Sequence, residues 1–201
     1  MKKLLLAAAA TAAFSSAAIA DNEFYLRADA GINMFTKSKV NDYKLKSKYS
    51  PSMEFGVGYA VMDNVRAEFA YGHHFNPSAK KTVDGVAVKA KSNIQTLMVK
   101  GFYDAFDLGM AQVFVGAGVG LAKVSAKVSF TDEEGTDTYK AKAKTNFTYL
   151  LALGTAFDVA DSVKIDVQYN FQDFGKTKAT KDLTKLAYRS HAIKAGVRFA
   201  L

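Results

Sequence analysis

The sequence has no cysteine and no tryptophan, and only two of its 201 residues are proline. Without cysteine it cannot form a disulfide framework, a thiolate nucleophile or a cysteine-based metal site. Beyond the N-terminus it also lacks any apolar run near the ~18–20 residues that a membrane-spanning helix requires. The mean hydropathy is −0.04. Two classes remain: a soluble globular protein, or a barrel whose strands alternate lipid-facing and lumen-facing side chains.

The first twenty residues are typical of a secretory signal peptide. Lys2 and Lys3 supply a positive start, residues 4–14 form a short apolar stretch, and residues 18–20 form a small-x-small cleavage site. A transmembrane anchor is the alternative, but it would need a longer apolar run. We therefore expect cleavage between Ala20 and Asp21 and one mature domain over residues 21–201.

Eight later segments alternate apolar and polar residues with a period of two, which is the pattern of strands with one apolar face. They lie near residues 24–34, 53–61, 65–72, 93–103, 112–121, 146–157, 163–171 and 193–201. The fourth segment fits least well, because Ile94, Met98 and Phe102 occupy positions of its polar set. The alternation predicts about eight antiparallel strands.

The connections between these segments alternate in length. Short turns near residues 62–64, 104–110 and 158–162 alternate with long polar segments at 36–51, 76–92, 123–144 and 175–189. Outer-membrane barrels have short periplasmic turns and longer extracellular loops. A soluble lipocalin-type barrel also has eight strands, but its apolar set faces a ligand cavity. Alternation alone leaves open which face is inside.

Two further features favour the membrane barrel. The last eight residues resemble the C-terminal signal recognised by the outer-membrane barrel assembly machinery, with Lys194, Gly196, Phe199 and Leu201 in the matching positions. The short turns carry five acidic residues and no Lys or Arg, whereas the four long segments carry 19 of the 27 basic residues. Such sorting indicates that the two ends meet different environments. We expect an all-β, eight-stranded antiparallel transmembrane β-barrel in the outer membrane, with its loops at the cell surface.

The polar faces of the strands carry many charges, which we expect to form a paired network inside the barrel. The lumen of a barrel this small is only wide enough for its own side chains, and buried charges are costly unless paired. A narrow ion-conducting pore is the alternative. The predicted lumen charges are Arg27, Arg66, Lys100, Lys164, Lys194 and Arg198 with Asp29, Glu54, Glu68 and Asp166. Glycines at 56, 58, 116, 118 and 120 are expected to leave room for the long basic side chains.

No catalytic or metal-binding pattern accompanies these charges. His73 and His74 are adjacent on a strand and therefore point to opposite faces, and His191 begins the last strand. The Gly-rich run at residues 116–120 lacks the G-x-G-x-x-G spacing of a nucleotide-binding loop. We expect no enzyme activity, no cofactor and no metal.

The long segments carry the functional signal, because binding residues usually lie on loops held by a rigid scaffold. Their lysines predict a cationic surface for acidic host glycans or acidic segments of host proteins. The alternative is that they pair with lipopolysaccharide phosphates. Nucleic acid is a poor candidate on an exported surface without interleaved aromatic platforms. The candidate binding residues are Lys37, Lys39, Lys44, Lys46, Lys48, Lys80, Lys81, Lys89, Lys91, Lys140, Lys142, Lys176, Lys178, Lys181 and Lys185.

Several segments together are similar to a known family. These are DNEFYLRADAGINMF, VGYAVMDNVRAEFAYG, FVGAGVGLAKV, LGTAFDVADSVKIDVQYNFQDFGKTK and SHAIKAGVRF. They span nearly all of the mature chain, and in them it resembles the surface adhesins of Rickettsia, small outer-membrane barrels of the opacity/OmpX type. The resemblance implies attachment to host cells, with recruitment of the serum protein vitronectin by some members. It implies no residue list, so the lysines above remain candidates on physical grounds.

Overall fold

The computed structural model describes residues 24–36, 39–40, 43–44, 46–47, 49–75, 78–83, 86–131, 135–140, 143–177 and 186–201. Eight long strands account for most of these residues. They are β1 (Phe24–Phe35), β2 (Tyr49–Met62), β3 (Val65–His74), β4 (Val86–Asp107), β5 (Ala111–Thr131), β6 (Lys144–Ala160), β7 (Val163–Thr177) and β8 (Leu186–Ala200). The predicted signal peptide and its cleavage site at Ala20 and Asp21 lie outside the described residues.

The eight strands form one closed antiparallel ring. Each strand pairs with its neighbour in the chain, and β8 pairs with β1 from Tyr25 opposite Ala200 to Phe35 opposite Ser190. Closure removes the free sheet edges, so backbone hydrogen-bonding groups are satisfied between strands, as a hydrocarbon environment requires. The predicted eight-stranded antiparallel barrel is confirmed.

The apolar set of each strand faces outward. Phe55 on β2 is 55% exposed and Leu151 on β6 is 54% exposed, whereas the neighbouring polar residue Glu54 is only 2% exposed. A lipocalin-type barrel would show the reverse, with its apolar set turned to the cavity. The exterior is therefore a lipid-facing band. Among the described residues there is no helix of the length and apolarity needed to cross a membrane.

The predicted boundary of the long segments was wrong for two of them. Strand β4 has 22 residues and β5 has 21, and they remain paired from Asp107 opposite Gln112 to Ala87 opposite Thr131. Apolar alternation stops near Leu97 and Leu121, but the backbone pairing of the two strands continues beyond these residues. Above the lipid-facing band the sheet lies in water, and its backbone hydrogen bonds do not require an apolar face there. Candidate binding residues Lys89 and Lys91 therefore lie on a strand.

Shorter strands widen this region. Residues 78–83 pair with the start of β4, and residues 136–140 pair with the end of β5. Residues 46–47 pair with residues 79–80. These segments continue the barrel wall beyond the lipid-facing band. We use the name outer sheet for the five paired segments 46–47, 78–83, 86–93, 125–131 and 136–140.

The turns at the other end are tighter than predicted. Strand β4 continues to Asp107 and turns over residues 108–110, where Gly109 has a φ of +81° that favours glycine. The Gly109 amide donates to the Asp107 carboxylate at 2.8 Å. Strand β6 runs to Ala160. As a result, Asp104, Asp107 and Asp158, which were predicted from the sequence to lie in turns, belong to strands.

Candidate functional site

The lumen contains the predicted charge network, and most of its members come from β1, β2, β3, β7 and β8. The centre of the network is Glu54, which contacts the Lys100 ammonium and receives the Lys194 ammonium at 3.0 Å. Lys100 also reaches Glu68 at 3.2 Å. Glu68 lies 3.5 Å from Arg27, which continues the network toward the turn end. Charges so deeply buried persist only when paired, and these pairs connect β1, β2, β3, β4 and β8 across the lumen.

A second part of the network surrounds Asp166 on β7. This carboxylate lies 3.2 Å from the Arg27 Nε atom and 2.7 Å from Arg198. Arg27 also donates to Asp29 at 3.1 Å. Two guanidinium groups from β1 and β8 thus share one carboxylate from β7, and the contact links three neighbouring strands across the lumen.

Nine of the ten predicted lumen charges are buried. The exception is Lys164, whose half-exposed side chain pairs at the rim with Asp158 at 2.9 Å. The sequence missed Asp104, which accepts two hydrogen bonds from Arg66, at 2.7 and 2.9 Å. Asp104 could have been found through Arg66 on β3, which needs a carboxylate partner. Arg66 stands in register beside Phe102 on β4, and Phe102 is two residues before Asp104.

The other side of the lumen is apolar. Met98 and Phe102 on β4 pack with Phe114 on β5 and Leu150 on β6, together with two alanines. The Phe102 and Phe114 rings meet edge to face, with centroids 5.7 Å apart, and the Arg66 guanidinium lies 5.0 Å from the Phe102 centroid. Met98 and Phe102, two of the three residues that broke the predicted alternation, thus fill this side of the lumen.

A further apolar cluster lies toward the outer sheet. Ile94, Ala122, Val124 and Phe174 are buried together, with Phe35 and Tyr188 packed against them. The conducting-pore alternative needs a continuous water path, and this cluster occupies the described lumen above the charge network.

The lumen glycines make room for neighbouring side chains, but only partly as predicted. A Cβ atom on Gly118 would lie 2.8 Å from the Lys100 Cγ atom, which fits the expectation. A Cβ atom on Gly58 would overlap the Tyr25 ring, and one on Gly116 would lie 2.5 Å from the ring of Phe102. Glycine therefore accommodates aromatic rings here as well as basic side chains.

The three histidines stand apart. His74 is buried beside Phe174, with ring centroids 4.9 Å apart, whereas His73 lies on the outer face, 3.4 Å from the side-chain amide of Asn93. The Nδ1 atom of His191 lies 2.5 Å from the Tyr169 hydroxyl. None of the three makes a hydrogen bond or ion pair with a described carboxylate. Within the described ranges, no three metal-ligating side chains converge.

The candidate lysines divide into three groups. Lys91 on β4 and Lys176 on β7 are described in full, and both are exposed. Seven others have described backbone positions in short or extended strands: Lys39, Lys44, Lys46, Lys80, Lys81, Lys89 and Lys140. The remaining six lie outside the described residues: Lys37, Lys48, Lys142, Lys178, Lys181 and Lys185.

One acidic residue stands at the loop end beside these bases. Asp173 accepts a hydrogen bond from Arg189 at 2.8 Å and another from the Gly175 amide at 2.8 Å. The bond to Asp173 raises the pKa of the exposed Arg189 guanidinium. Gly175 has a φ of +78°, which favours glycine at this irregularity in β7. Asp173 was not predicted from the sequence, and its pairing with Arg189 lowers the free positive charge of this rim.

The C-terminal pattern alternates between the two faces of β8. Lys194 is buried in the charge network, and Gly196 lies directly against Asp29. Phe199 and Leu201 face outward, each 47% exposed. The backbone N–H of Leu201 donates to the Phe24 carbonyl at 2.9 Å. Recognition of these residues by the assembly machinery remains a prediction.

Known proteins are similar to this chain in sequence or in fold. The protein named "Putative adhesin RT0816" of Rickettsia typhi is 38% identical over 225 aligned residues, covering 100% of both chains. Among solved structures, Neisserial surface protein A superposes with a TM-score of 0.61 at 19% identity, covering 89% of this chain and 97% of the other.

A second solved structure is Ail, the attachment invasion locus protein of Yersinia pestis, in complex with the heparin analogue sucrose octasulfate. Its TM-score is 0.50 at 16% identity, covering 88% of this chain and 99% of Ail. Both structural likenesses show the fold alone. The family description "Outer membrane protein beta-barrel domain" matches residues 4–199. The chain belongs to this family and is a β-barrel of the outer membrane.

Proposed function

We propose that this barrel is a surface adhesin that binds host-cell or host serum proteins, of the vitronectin kind, through its basic extracellular segments. The observation that carries the proposal is the sorting of charge: 19 of the 27 basic residues lie in the four segments at one end of a closed scaffold. A full-length relative that is named as an adhesin supports it. Sulfate chemistry in the ligand of the Ail structure also suits a cationic surface.

The scaffold suits such a role. Buried ion pairs and apolar clusters fix the strands, so the segments that connect them are presented from rigid ends. Positive charge at those ends attracts acidic surfaces over a Debye length of about 8 Å at physiological salt. Binding by these contacts should therefore weaken as salt is raised.

The test is a series of charge reversals made segment by segment in the mature barrel, scored for attachment to host cells and to immobilised vitronectin. In the first segment, Lys39, Lys44 and Lys46 become Glu. The matched control reverses three acidic residues at the opposite end, Asp63, Asp107 and Asp161, to Lys. We expect attachment to fall only in the lysine variants and to weaken with salt. Attachment that is equal in both variants, or absent in the unmodified protein, would overturn the proposal.

A second candidate is a structural barrel that interacts with lipopolysaccharide. The observation that favours it is Lys123, which is exposed on β5 two residues beyond the exposed Leu121. A lysine at the outer boundary of an apolar band is well placed for headgroup phosphates. A deletion strain with normal host attachment and a leaky envelope would support this role instead.

A small channel is the third candidate function. Buried clusters occupy the described lumen at two heights. Planar-bilayer recordings without discrete conductance steps are the expected result, and reproducible unitary steps would favour the channel.

A further inference from the structure

The register of the outer sheet brings six lysines into one continuous track. In one cross-strand row, Lys80 stands opposite both Lys46 and Lys89. In the next row, Lys127 stands opposite both Lys91 and Lys140. The two rows meet on β4, because Lys89 and Lys91 are two residues apart and therefore share a face. We call these residues the lysine track: Lys46, Lys80, Lys89, Lys91, Lys127 and Lys140.

Such a register is unfavourable for the isolated sheet. Like charges directly opposite each other on neighbouring strands destabilise the pairing. The other described positions in the two rows are Ser78, Ser129 and Thr138, so no Asp or Glu stands at a described position of either row. A bound polyanion would relieve the repulsion between these lysines. It would therefore bind more favourably to the paired lysines than to the same number of scattered lysines.

The track lies on the outer side of the barrel wall. Lys91 and Lys127 are exposed, and each stands six residues along its strand from an exposed residue of the lipid-facing band, Leu97 and Leu121 respectively. Six residues span about 20 Å along a strand, or roughly 15 Å in height at the tilt of such barrels. This height places the track well above Lys123 and the band edge. It favours a ligand that approaches from solution over a lipid phosphate at the membrane boundary.

The shape of the track indicates the class of ligand. Neighbouring strands lie about 4.8 Å apart, so five strands place the two ends of the track roughly 19 Å apart. A single phosphate would contact one or two of these positions, whereas an extended chain with repeated anionic groups can contact all six.

We propose that the lysine track binds a linear sulfated polysaccharide. The inference deepens the proposed adhesin function and rests on it for the biological role, although the binding itself is testable apart from it.

The experiment compares two variants that lose the same number of charges. The track variant is K80Q/K89Q/K91Q/K127Q. The control is K123Q/K144Q/K164Q/R189Q, which removes four charges outside both the lysine track and the candidate binding lysines. Both are refolded as the mature barrel in detergent, and gel mobility of the folded barrel confirms folding. Binding to immobilised heparin is measured over a salt series.

We expect the track variant to lose about tenfold or more in heparin affinity, because four positive charges in adjacent rows are removed from one binding surface. The control should stay within about twofold of the unmodified protein. Equal losses in both variants would mean that net charge alone governs binding and would overturn the track. A track variant that loses binding to lipopolysaccharide vesicles but keeps heparin binding would also overturn it, in favour of a lipid phosphate.

Host-cell attachment separates this inference from the proposed function. If the unmodified barrel attaches to host cells but is not retained on heparin, the proposal for the lysine track is wrong and the adhesin proposal stands. If it binds heparin through the track but attaches to no host cell, the adhesin proposal fails and the track stands.

Discussion

The two sides of the lumen are filled in opposite ways. On one side, a few carboxylates such as Glu54 and Asp166 are each shared by two basic side chains. On the other, Met98, Phe102, Phe114 and Leu150 pack as in an ordinary core. Both sides exclude water from a narrow barrel, yet their tolerance of change should differ. An ionic cluster needs each partner, because removing one leaves a buried charge unpaired, whereas an apolar cluster needs mainly volume.

Removing the shared carboxylate should have the largest effect. In Glu54→Gln the side chain keeps its size but loses the charge that contacts both Lys100 and Lys194, and Lys194 has no other described carboxylate partner. Breaking a buried pair in this way costs about 3–5 kcal/mol. Urea unfolding of the refolded barrel in lipid vesicles measures the loss. The control is Met98→Leu, a swap of similar volume on the apolar side that should cost under about 1.5 kcal/mol. Equal losses of unfolding free energy in the two variants would contradict the expected difference between the ionic side and the apolar side.

Truncation on the apolar side comes next. In Phe114→Ala a fully buried ring is removed from its contacts with Phe102 and Leu150. Transfer and cavity terms together should cost about 3 kcal/mol, at the lower end for such truncations, since the neighbouring Phe102 ring can move into the space. The same unfolding assay applies. Phe114→Leu should recover most of the loss, and a Leu variant as unstable as the Ala variant would show that the ring acts through more than its volume.

The sequence predicts which residues line the lumen, but it does not predict which of them pair. Period-two alternation is a local property, so eight strands and nine of ten lumen charges could be assigned from it. The pairs themselves could not, because a contact such as Lys194 with Glu54 joins residues 140 apart and depends on barrel closure. Asp104 was missed for the same reason: its partner Arg66 lies on another strand, and its own neighbours look like a turn.

The apolar side and the outer sheet escaped prediction in another way. Ile94, Met98 and Phe102 broke the alternation and looked like noise, but an apolar set on both faces of β4 is the signature of a lumen that is partly apolar. In the outer sheet, the pairing of Lys80 with Lys89 or of Lys91 with Lys127 depends on register. The composition gives the number of these lysines, but it cannot show which of them stand in the same cross-strand row.

Overpacking at the interface of the two sides should have an intermediate effect. In Gly58→Ala the new methyl group meets the Tyr25 ring, which packs beside Arg66 and Arg198. Displacing this ring should cost about 1–3 kcal/mol in the unfolding assay. Gly101→Ala is the matched control, because a Cβ atom there meets nothing within 4 Å. If both substitutions were neutral, Tyr25 would not be held firmly between the guanidinium groups.

The smallest effect is expected at the rim, where the ionic side meets water. Lys164 and Asp158 pair at 2.9 Å, but both side chains are more than a third exposed. Solvent screens such a pair, so Lys164→Gln should change the free energy of unfolding by less than about 1 kcal/mol, and added salt should shrink even that difference. The matched buried change is Lys100→Gln, which leaves Glu54 and Glu68 short of a partner and should not respond to salt. A rim variant as damaging as Lys100→Gln would mean that ion pairing, and not burial, sets the sensitivity of the ionic side.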